Sequence, residues 1–154
     1  MSLGTFGAIM GFASRLVGDS AEIYKAAMPQ AKDAVLKETL RDLWEQEKKN
    51  YALMEQTRRE NVVEMVLEPI AGLHPDDYQV DVRVSDQAGD EDLLEAAHLL
   101  EEKERRFFSD SSKKVSLPEV ARVFRKIALK KERNIARLDE LARDRKARID
   151  SKVL

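Results

Sequence analysis

The chain has 154 residues, of which 43% are apolar, 36% charged and 6% aromatic, with 27 Lys and Arg against 29 Asp and Glu. This composition provides the core of one domain, taken as residues 1–154, and a charged fraction above the roughly 25% of average domains indicates long solvated helical faces. The sequence contains no cysteine, which excludes disulfides, thiolate nucleophiles, iron–sulfur clusters and cysteine-ligated zinc.

The first half of the chain predicts two long helices, at about residues 5–27 and 32–67. Each is closed by a proline, Pro29 and Pro69, because proline cannot donate its amide and disfavours helix at the preceding residue. The apolar run 3–13 is shorter than the roughly 20 residues that a membrane-spanning helix needs, and no basic residue precedes it. We therefore expect a cytoplasmic protein with no membrane partner.

The second half predicts a long crossover over about residues 68–90, followed by two more helices. The crossover contains turn signals and an alternation of valine with charged residues over 80–84, which predicts one short extended stretch. The third helix begins at the acidic residues 90–92 and runs to about Ser109 or beyond. The fourth begins with the capping box at 116–119 and runs to about Arg148.

An internal repeat relates the two halves of the chain. A single offset of 84 residues aligns the first helix with the third and the second with the fourth. The aligned pairs are Phe108 with Tyr24, Val120 with Leu36, Phe124 with Leu40, Ile127 with Leu43, Asn134 with Asn50 and Ala136 with Ala52. Two similar helix pairs joined by a long crossover predict an all-α fold, a ferritin-like four-helix bundle in which helices 2 and 3 are parallel.

Charge is distributed unevenly along the chain. Residues 68–104 contain 12 acidic and 2 basic side chains, whereas residues 105–154 contain 7 acidic and 16 basic ones. Such segments can complement each other within the fold or across a dimer. A basic C-terminal helix can also contact nucleic acid or anionic lipid, but here the cations alternate with acidic residues and no aromatic residues are interleaved. We therefore do not expect nucleic acid as a partner.

Polar residues interrupt the apolar stripes that are predicted to face the core. They are Glu47 and Asn50 on helix 2, Glu101 and Glu104 on helix 3, and Lys131 and Asn134 on helix 4. An isolated ion in a low-dielectric core costs many kcal/mol, so these groups must meet one another or a metal ion. Tyr24 is predicted to be a core residue whose hydroxyl could bond one of the carboxylates. His98 falls one position off the stripe of helix 3, and His74 precedes Pro75 in the crossover as a turn residue, so neither is expected to be a ligand.

The spacing of these residues carries a family resemblance. Glu47-x-x-Asn50, together with Glu101-x-x-Glu104-x-x-Phe107-Phe108 after a long crossover, resembles the rubrerythrin-like branch of the ferritin-like superfamily over about residues 10–142. The resemblance implies a di-iron centre that reduces peroxide or carries out oxygen chemistry. It also implies a homodimer and identifies Glu47, Glu101 and Glu104 as positions that match the family's metal ligands.

Four other positions depart from the family's ligand pattern. Asn50 and Asn134 replace histidines, and Val17 and Lys131 replace carboxylates. An amide is a poor substitute for imidazole toward iron, and an ammonium group would repel a metal ion. We expect Lys131 to take the place of the lost cations by pairing with the glutamates, while the asparagines satisfy the remaining hydrogen bonds.

Two functions follow from this pattern as expectations. The first is a ferritin-like bundle that has lost its di-iron centre, needs no cofactor and acts as a non-catalytic binding or assembly module with an unidentified protein partner. The second is a rubrerythrin-like oxidoreductase that holds iron with a reduced ligand set at Glu47, Glu101 and Glu104.

Overall fold

The computed structural model describes residues 3–61 and 70–153. Four α-helices account for most of these residues: α1 (Phe6–Ala27), α2 (Ala34–Glu60), α3 (Asp90–Ser112) and α4 (Pro118–Val153). Short 3₁₀ turns lie at Met28–Gln30 and Pro75–Asp77, and the described part of the chain contains no β-strand. The prediction of an all-α protein with four helices is confirmed.

Capping side chains set the starts of α1 and α2. The Thr5 hydroxyl accepts a hydrogen bond from the Ala8 N–H at 3.1 Å, and the Asp33 carboxylate accepts from the N–H groups of Val35 and Leu36. Because a cap residue lies outside the helix that it caps, the two helices begin one and two residues later than predicted. The helix α2 ends at Glu60, and its predicted end at residue 67 lies outside the described residues.

The boundaries of the last two helices differ little from the predictions. The helix α3 starts at Asp90, as its acidic first turn predicts, and runs to Ser112. The helix α4 starts at Pro118, two residues after the predicted capping residue, and extends to Val153 rather than to Arg148. The charged residues of its last turns favour helix, so the predicted end was too early.

Two clusters of buried apolar side chains form the core. The first centres on four phenylalanines, Phe12, Phe107, Phe108 and Phe124, whose neighbouring ring centroids lie 5.1–6.3 Å apart. The buried residues of the apolar run 3–13 belong to this cluster. The second consists mainly of leucines from α2, α3 and α4, together with Tyr24 of α1. The polar residues discussed below lie on the same inward stripes as these two clusters.

Contacts at the helix ends define the directions of the helices. The Asp90 carboxylate at the start of α3 accepts hydrogen bonds from the backbone N–H groups of Lys32 and Asp33, just before α2. Arg145, in the last third of α4, donates to both Asp33 and Asp90. The helices α2 and α3 therefore start at the same end of the molecule and run in the same direction, while α4 returns to that end.

The connection that precedes α3 packs along the other helices. Its Ile70 N–H bonds the Gly4 carbonyl, near the start of α1. Farther along, valines 80, 82 and 84 are half-buried against the second core cluster, while Asp81 and Arg83 are exposed. The alternation thus predicted the buried face, although the segment does not form a β-strand.

None of the described helices combines the length and the apolarity needed to cross a membrane.

Candidate functional site

A cluster of one lysine and three glutamates occupies the middle of the bundle. Glu47 comes from α2, Glu101 and Glu104 come from α3, and Lys131 comes from α4; each is at most 1% exposed. The Lys131 Nζ donates to Glu47 Oε1 at 2.7 Å, to Glu101 Oε2 at 2.9 Å and to Glu104 Oε2 at 3.5 Å. The structure therefore brings together the four charged residues that the stripe pattern placed inside, and Lys131 does not extend to solvent.

The two asparagines of the pattern contact the same carboxylates. The Asn134 Nδ2 donates to Glu101 Oε1 at 2.6 Å, and the half-buried Asn50 donates to Glu47 Oε1 at 2.9 Å. Asn134 also donates to the side chain of Gln46 at 2.7 Å. The stripe did not identify Gln46, because it lies one residue before an inward position and so on a different side of α2.

Tyr24 supplies the only hydrogen bond from α1 to these carboxylates among the described residues. Its hydroxyl donates to Glu101 Oε2 at 2.7 Å, and its side chain is 1% exposed. Burial raises the pKa of Tyr24 well above its ordinary value, and the neighbouring Glu101 and Glu47 carboxyl groups raise it further. The phenol therefore keeps its proton and acts as a hydrogen-bond donor.

The three glutamates keep Lys131 protonated. Burial by itself acts to lower the pKa of an amine, but Glu101, Glu104 and Glu47 together raise the pKa of Lys131 well above its ordinary value. Burial raises the pKa of Glu101, with a further contribution from Glu47, while Lys131 opposes that shift. A charged ammonium is thus the stable form in the centre of the cluster.

Two carboxylate oxygens in the cluster, Glu47 Oε2 and Glu104 Oε1, are buried and have no hydrogen-bond partner within the described chain. Burial raises the pKa of Glu104 well above its ordinary value, and the adjacent Glu47 carboxyl group raises it further. The raised pKa of Glu104 favours its protonated form, in which the carboxyl group can donate a hydrogen bond.

The resemblance implies a metal centre at this cluster. One carboxylate oxygen from each of Glu47, Glu101 and Glu104 lies within 4.8 Å of the others, which is close enough for a single cation. However, the Lys131 ammonium already donates to all three groups. Val17, at a position where the resemblance implies a carboxylate, is fully buried and offers no ligand atom. The residues present therefore do not fit a di-iron centre.

A second cluster of charges lies at one end of the bundle. Its residues were not predicted individually, although the charges of segments 68–104 and 105–154 were expected to complement each other. Arg145 bridges Asp33 at 2.8 Å, Asp90 at 3.3 Å and Glu91 at 3.4 Å, and Arg148 binds Asp33 at 2.8 Å. These contacts show that part of the basic C-terminal segment pairs with acidic groups inside the same fold. Sequence spacing gave no signal for them, because the partners lie at the ends of different helices.

The two histidines lie apart from the central cluster. His98 is partly exposed and its Nε2 lies 3.1 Å from an Asp139 carboxylate oxygen. His74 is exposed and precedes the 3₁₀ turn at Pro75–Asp77.

Comparisons of the chain with protein-family models, with curated proteins and with solved structures find no match. The resemblance to the rubrerythrin-like branch thus rests on the spacing of the residues named above. The Lys131 cluster and the surfaces of the chain therefore carry the argument about its function.

Proposed function

We propose that this chain is a ferritin-like bundle in which the ammonium group of Lys131 takes the place of the metal ions. In this proposal the protein needs no cofactor and acts in the cytoplasm as a non-catalytic binding or assembly module. The observation that carries the proposal is the position of the Lys131 Nζ, within hydrogen-bond distance of Glu47, Glu101 and Glu104.

The helix directions support the ferritin-like part of the proposal. The parallel course of α2 and α3 requires a chain that returns along the bundle, and the connection between them includes residues 70–89. Such a course supports the proposal that a long crossover, predicted over about residues 68–90, joins the two helix pairs. Donor and acceptor also occupy equivalent repeat positions, because Lys131 lies 84 residues after Glu47 and bonds it directly. Both features are typical of two helix pairs packed around a central polar layer.

Electrostatics support the loss of the metal. A divalent ion between the three glutamates would have to displace or deprotonate Lys131, and the carboxyl groups strongly favour the protonated ammonium. The asparagine amides donate to Glu47 Oε1 and Glu101 Oε1, in the places where the resemblance would put imidazole ligands. The charge at the centre of the cluster is therefore compensated by an internal cation.

One observation favours the second candidate function, a rubrerythrin-like oxidoreductase that holds iron with fewer ligands. The buried oxygens Glu47 Oε2 and Glu104 Oε1 lack partners, and carboxylate oxygens are ligands for iron and manganese. The raised pKa of Glu104 favours a protonated carboxyl group there, which makes it a poorer metal ligand without any movement of Lys131. We therefore place this candidate second.

Metal binding separates the two candidates. The wild-type protein is expressed with ample iron, dialysed against Fe²⁺ or Mn²⁺ without oxygen and analysed by elemental mass spectrometry. The proposal predicts less than about a tenth of an ion per chain, because the ligands are already bound to an internal cation. The variant Lys131→Met, which removes the ammonium, is measured beside Lys130→Met, a change at the adjacent exposed lysine.

Two irons per wild-type chain, with peroxide consumption that depends on them, would instead establish the oxidoreductase.

The oligomeric state is measured separately by light scattering. The homodimer that the resemblance implies would have twice the chain mass of 17.6 kDa. If the protein is a monomer at all accessible concentrations, the function as an assembly module is contradicted and only the function as a binding module remains.

A further inference from the structure

The helices α3 and α4 together form one outward face of the bundle. The His98 Nε2 lies 3.1 Å from an Asp139 carboxylate oxygen, and the Asn134 Nδ2 donates to Glu101 Oε1, so the two helices run antiparallel in a fixed register. On α3, positions 95, 99, 102 and 106 are spaced three or four residues apart and therefore lie on one side of the helix. Positions 125, 129, 132, 136 and 139 of α4 follow the same spacing.

The two halves of this α3/α4 face carry opposite charges. The half at which α3 begins is its acidic half, and the half at which α4 begins is its basic half. Arg143 in the acidic half and Glu132 in the basic half have the opposite sign. The acidic half contains Glu91, Glu95, Asp139 and Glu140, and the basic half contains Arg106, Lys113, Arg122 and Arg125.

Several of these charges have no partner inside the chain. Near the middle of the face, Arg105 and Glu102 pair with each other at 2.6 Å. In contrast, Glu95, Glu140, Arg106, Arg122 and Arg125 form no ion pair with any described residue. The face therefore keeps unpaired charges of both signs, separated along its length, and these are available to another molecule.

A groove of about 490 Å³ runs between α3 and α4 in the acidic half. Leu94, Leu138 and Ala142 contribute apolar surface to it, while Glu95 and Asp139 lie among its charged lining residues. An apolar lining beside carboxylates fits an arginine side chain, because its methylene groups pack on apolar surface while its guanidinium group binds a carboxylate.

A second copy of the same face supplies such arginines. In a twofold dimer whose axis lies in the interface and is perpendicular to the helices, α3 packs antiparallel on α3 and α4 on α4. The acidic half of each copy then lies against the basic half of the other, and the groove meets the region that contains Arg106 and Arg125. An axis parallel to the helices would instead bring like charges together, so the charge distribution selects the first arrangement.

Two exposed leucines lie on the same face. Leu99 of α3 is 42% exposed and Leu129 of α4 is 52% exposed. In the register of the two helices, Leu99 lies level with Ala136 and Leu129 lies level with Arg106, on either side of Glu102. The perpendicular twofold axis therefore brings Leu99 of one copy level with Leu129 of the other. An apolar centre surrounded by charged residues is typical of protein interfaces.

We infer that the α3/α4 face is the surface through which two copies of this chain form an antiparallel twofold dimer. Arg106 and Arg125 of each copy lie along the groove of the other, and Leu99 and Leu129 of both copies pack at its centre. The inference rests on the assembly part of the proposed function and names a second copy as the partner. It does not depend on whether Lys131 replaces a metal.

The first measurement is sedimentation equilibrium of the full chain over a range of concentrations. We expect a monomer and dimer in equilibrium. The dissociation constant should rise at least about tenfold between low and high salt, because screening weakens the contacts between the acidic and basic halves.

Charge reversal in each half tests the surface itself. The acidic-half variant combines Glu95→Lys with Glu140→Lys, and the basic-half variant combines Arg106→Glu with Arg125→Glu. Each variant should self-associate at least about a hundredfold more weakly than wild type, because it brings like charges together. An equal mixture of the two variants, one of them ¹⁵N-labelled, should form a heterodimer by native mass spectrometry, since opposite charges then meet at every contact.

Matched controls change the net charge by the same amount on another face. Glu22→Lys with Glu38→Lys, and Arg41→Glu with Arg59→Glu, alter exposed residues of α1 and α2 that form no ion pair with any described residue. Both double variants should dimerise as wild type does. Circular dichroism of every variant confirms that the fold is intact before dissociation constants are compared.

Four results would overturn the inference. Dimerisation that the α3/α4 variants leave unchanged, or that the α1 and α2 controls weaken equally, would assign the dimer to another surface and leave the assembly function standing. A mixture that forms no heterodimer would contradict the antiparallel pairing of charges. A wild-type monomer at all accessible concentrations would contradict both this surface and the assembly function.

Discussion

The two charged clusters of this protein differ in how their carboxylates are compensated, because one cluster is buried in the centre and the other lies partly exposed at one end of the bundle. In the centre, one cation serves three carboxyl groups that are inaccessible to solvent. At the end of the bundle, Arg145 and Arg148 bind Asp33 and Asp90 while Arg148 remains 58% exposed. Backbone N–H groups also donate to both aspartates there. The central cluster thus depends on a single cation for its charge balance, whereas the carboxylates of the end cluster also accept hydrogen bonds from backbone N–H groups and lie close to water.

Removal of the central cation is expected to produce the largest effect. Lys131→Met keeps much of the side-chain volume but leaves Glu47 and Glu101 without their counter-ion. Breaking a buried pair by removing one partner costs roughly 3 to 5 kcal/mol, which we expect as the loss in free energy of unfolding by urea denaturation. Lys130→Met, at the neighbouring exposed position, should change stability by less than about 0.5 kcal/mol. Equal losses in the two variants would mean that the central cluster has no special role.

The Tyr24→Phe variant tests the donor that α1 supplies to the cluster. It removes the hydroxyl bonded to Glu101 at 2.7 Å without changing the ring. Hydrogen bonds to charged groups contribute about 1.5–3 kcal/mol, so thermal and urea denaturation should show a loss in that range. Tyr51→Phe is the matched control, because the Tyr51 side chain is 45% exposed and has no hydrogen bond within the described residues. A Tyr24→Phe protein as stable as the control would contradict the contact.

Replacement of Asp33 by alanine removes a helix cap and the partner of two arginines at the end of the bundle. Loss of an N-cap costs about 0.5–2 kcal/mol, and we expect a loss near the upper limit because Arg145 and Arg148 also lose their acceptor. Asp144→Ala, at an exposed position on α4, serves as the control. An effect no larger than that of the control would show that water fully replaces the cap.

Asp33 should also make the stability of the folded protein depend on pH. Partial burial acts to raise the pKa of Asp33, but hydrogen bonds from Arg148, Leu36, Val35 and Arg145 lower it to about 2 from its ordinary 3.8. A carboxyl group whose pKa is depressed in the folded state stabilises the protein above the unfolded value and loses that contribution as it takes up a proton. The stability difference between wild type and Asp33→Ala should therefore be constant above about pH 5 and shrink as the pH falls from 4 toward 2. A difference that grows over that range would contradict the assignment.

The smallest effect is expected at the exposed pair between Arg137 and Asp42. The atoms lie 3.0 Å apart, but both side chains are more than two-fifths exposed. Exposed pairs contribute about 0.2–1 kcal/mol and are screened by salt, so Arg137→Gln should cost no more than this and the difference should decrease in high salt. A loss comparable to that of Lys131→Met would show that burial does not govern the strength of these pairs.

Much of the central cluster could be predicted from the sequence because it follows helical periodicity. Glu47 and Lys131 interrupt apolar stripes at positions related by the repeat, and an ion on such a stripe must find a partner inside the bundle. The Asp33 cluster could not be predicted in the same way. Asp33 and Arg145 lie 112 residues apart at helix ends, where no stripe specifies a face and the pairing depends on how the helices pack. Gln46 was missed because it reaches Asn134 from beside the stripe rather than from within it.

The most direct test of the central claim is the NMR signal of the Lys131 side-chain nitrogen in ¹⁵N-lysine-labelled wild-type protein. We predict a protonated ammonium group whose hydrogens exchange slowly with water, because the group is buried and donates to three carboxyl groups. The signal should persist at a pH where exposed lysines exchange too fast to be seen, be absent in Lys131→Met and stay unchanged when Fe²⁺ or Mn²⁺ is added. A Lys131 signal that exchanges as fast as those of the exposed lysines, or that is lost on addition of one equivalent of metal, would contradict the account.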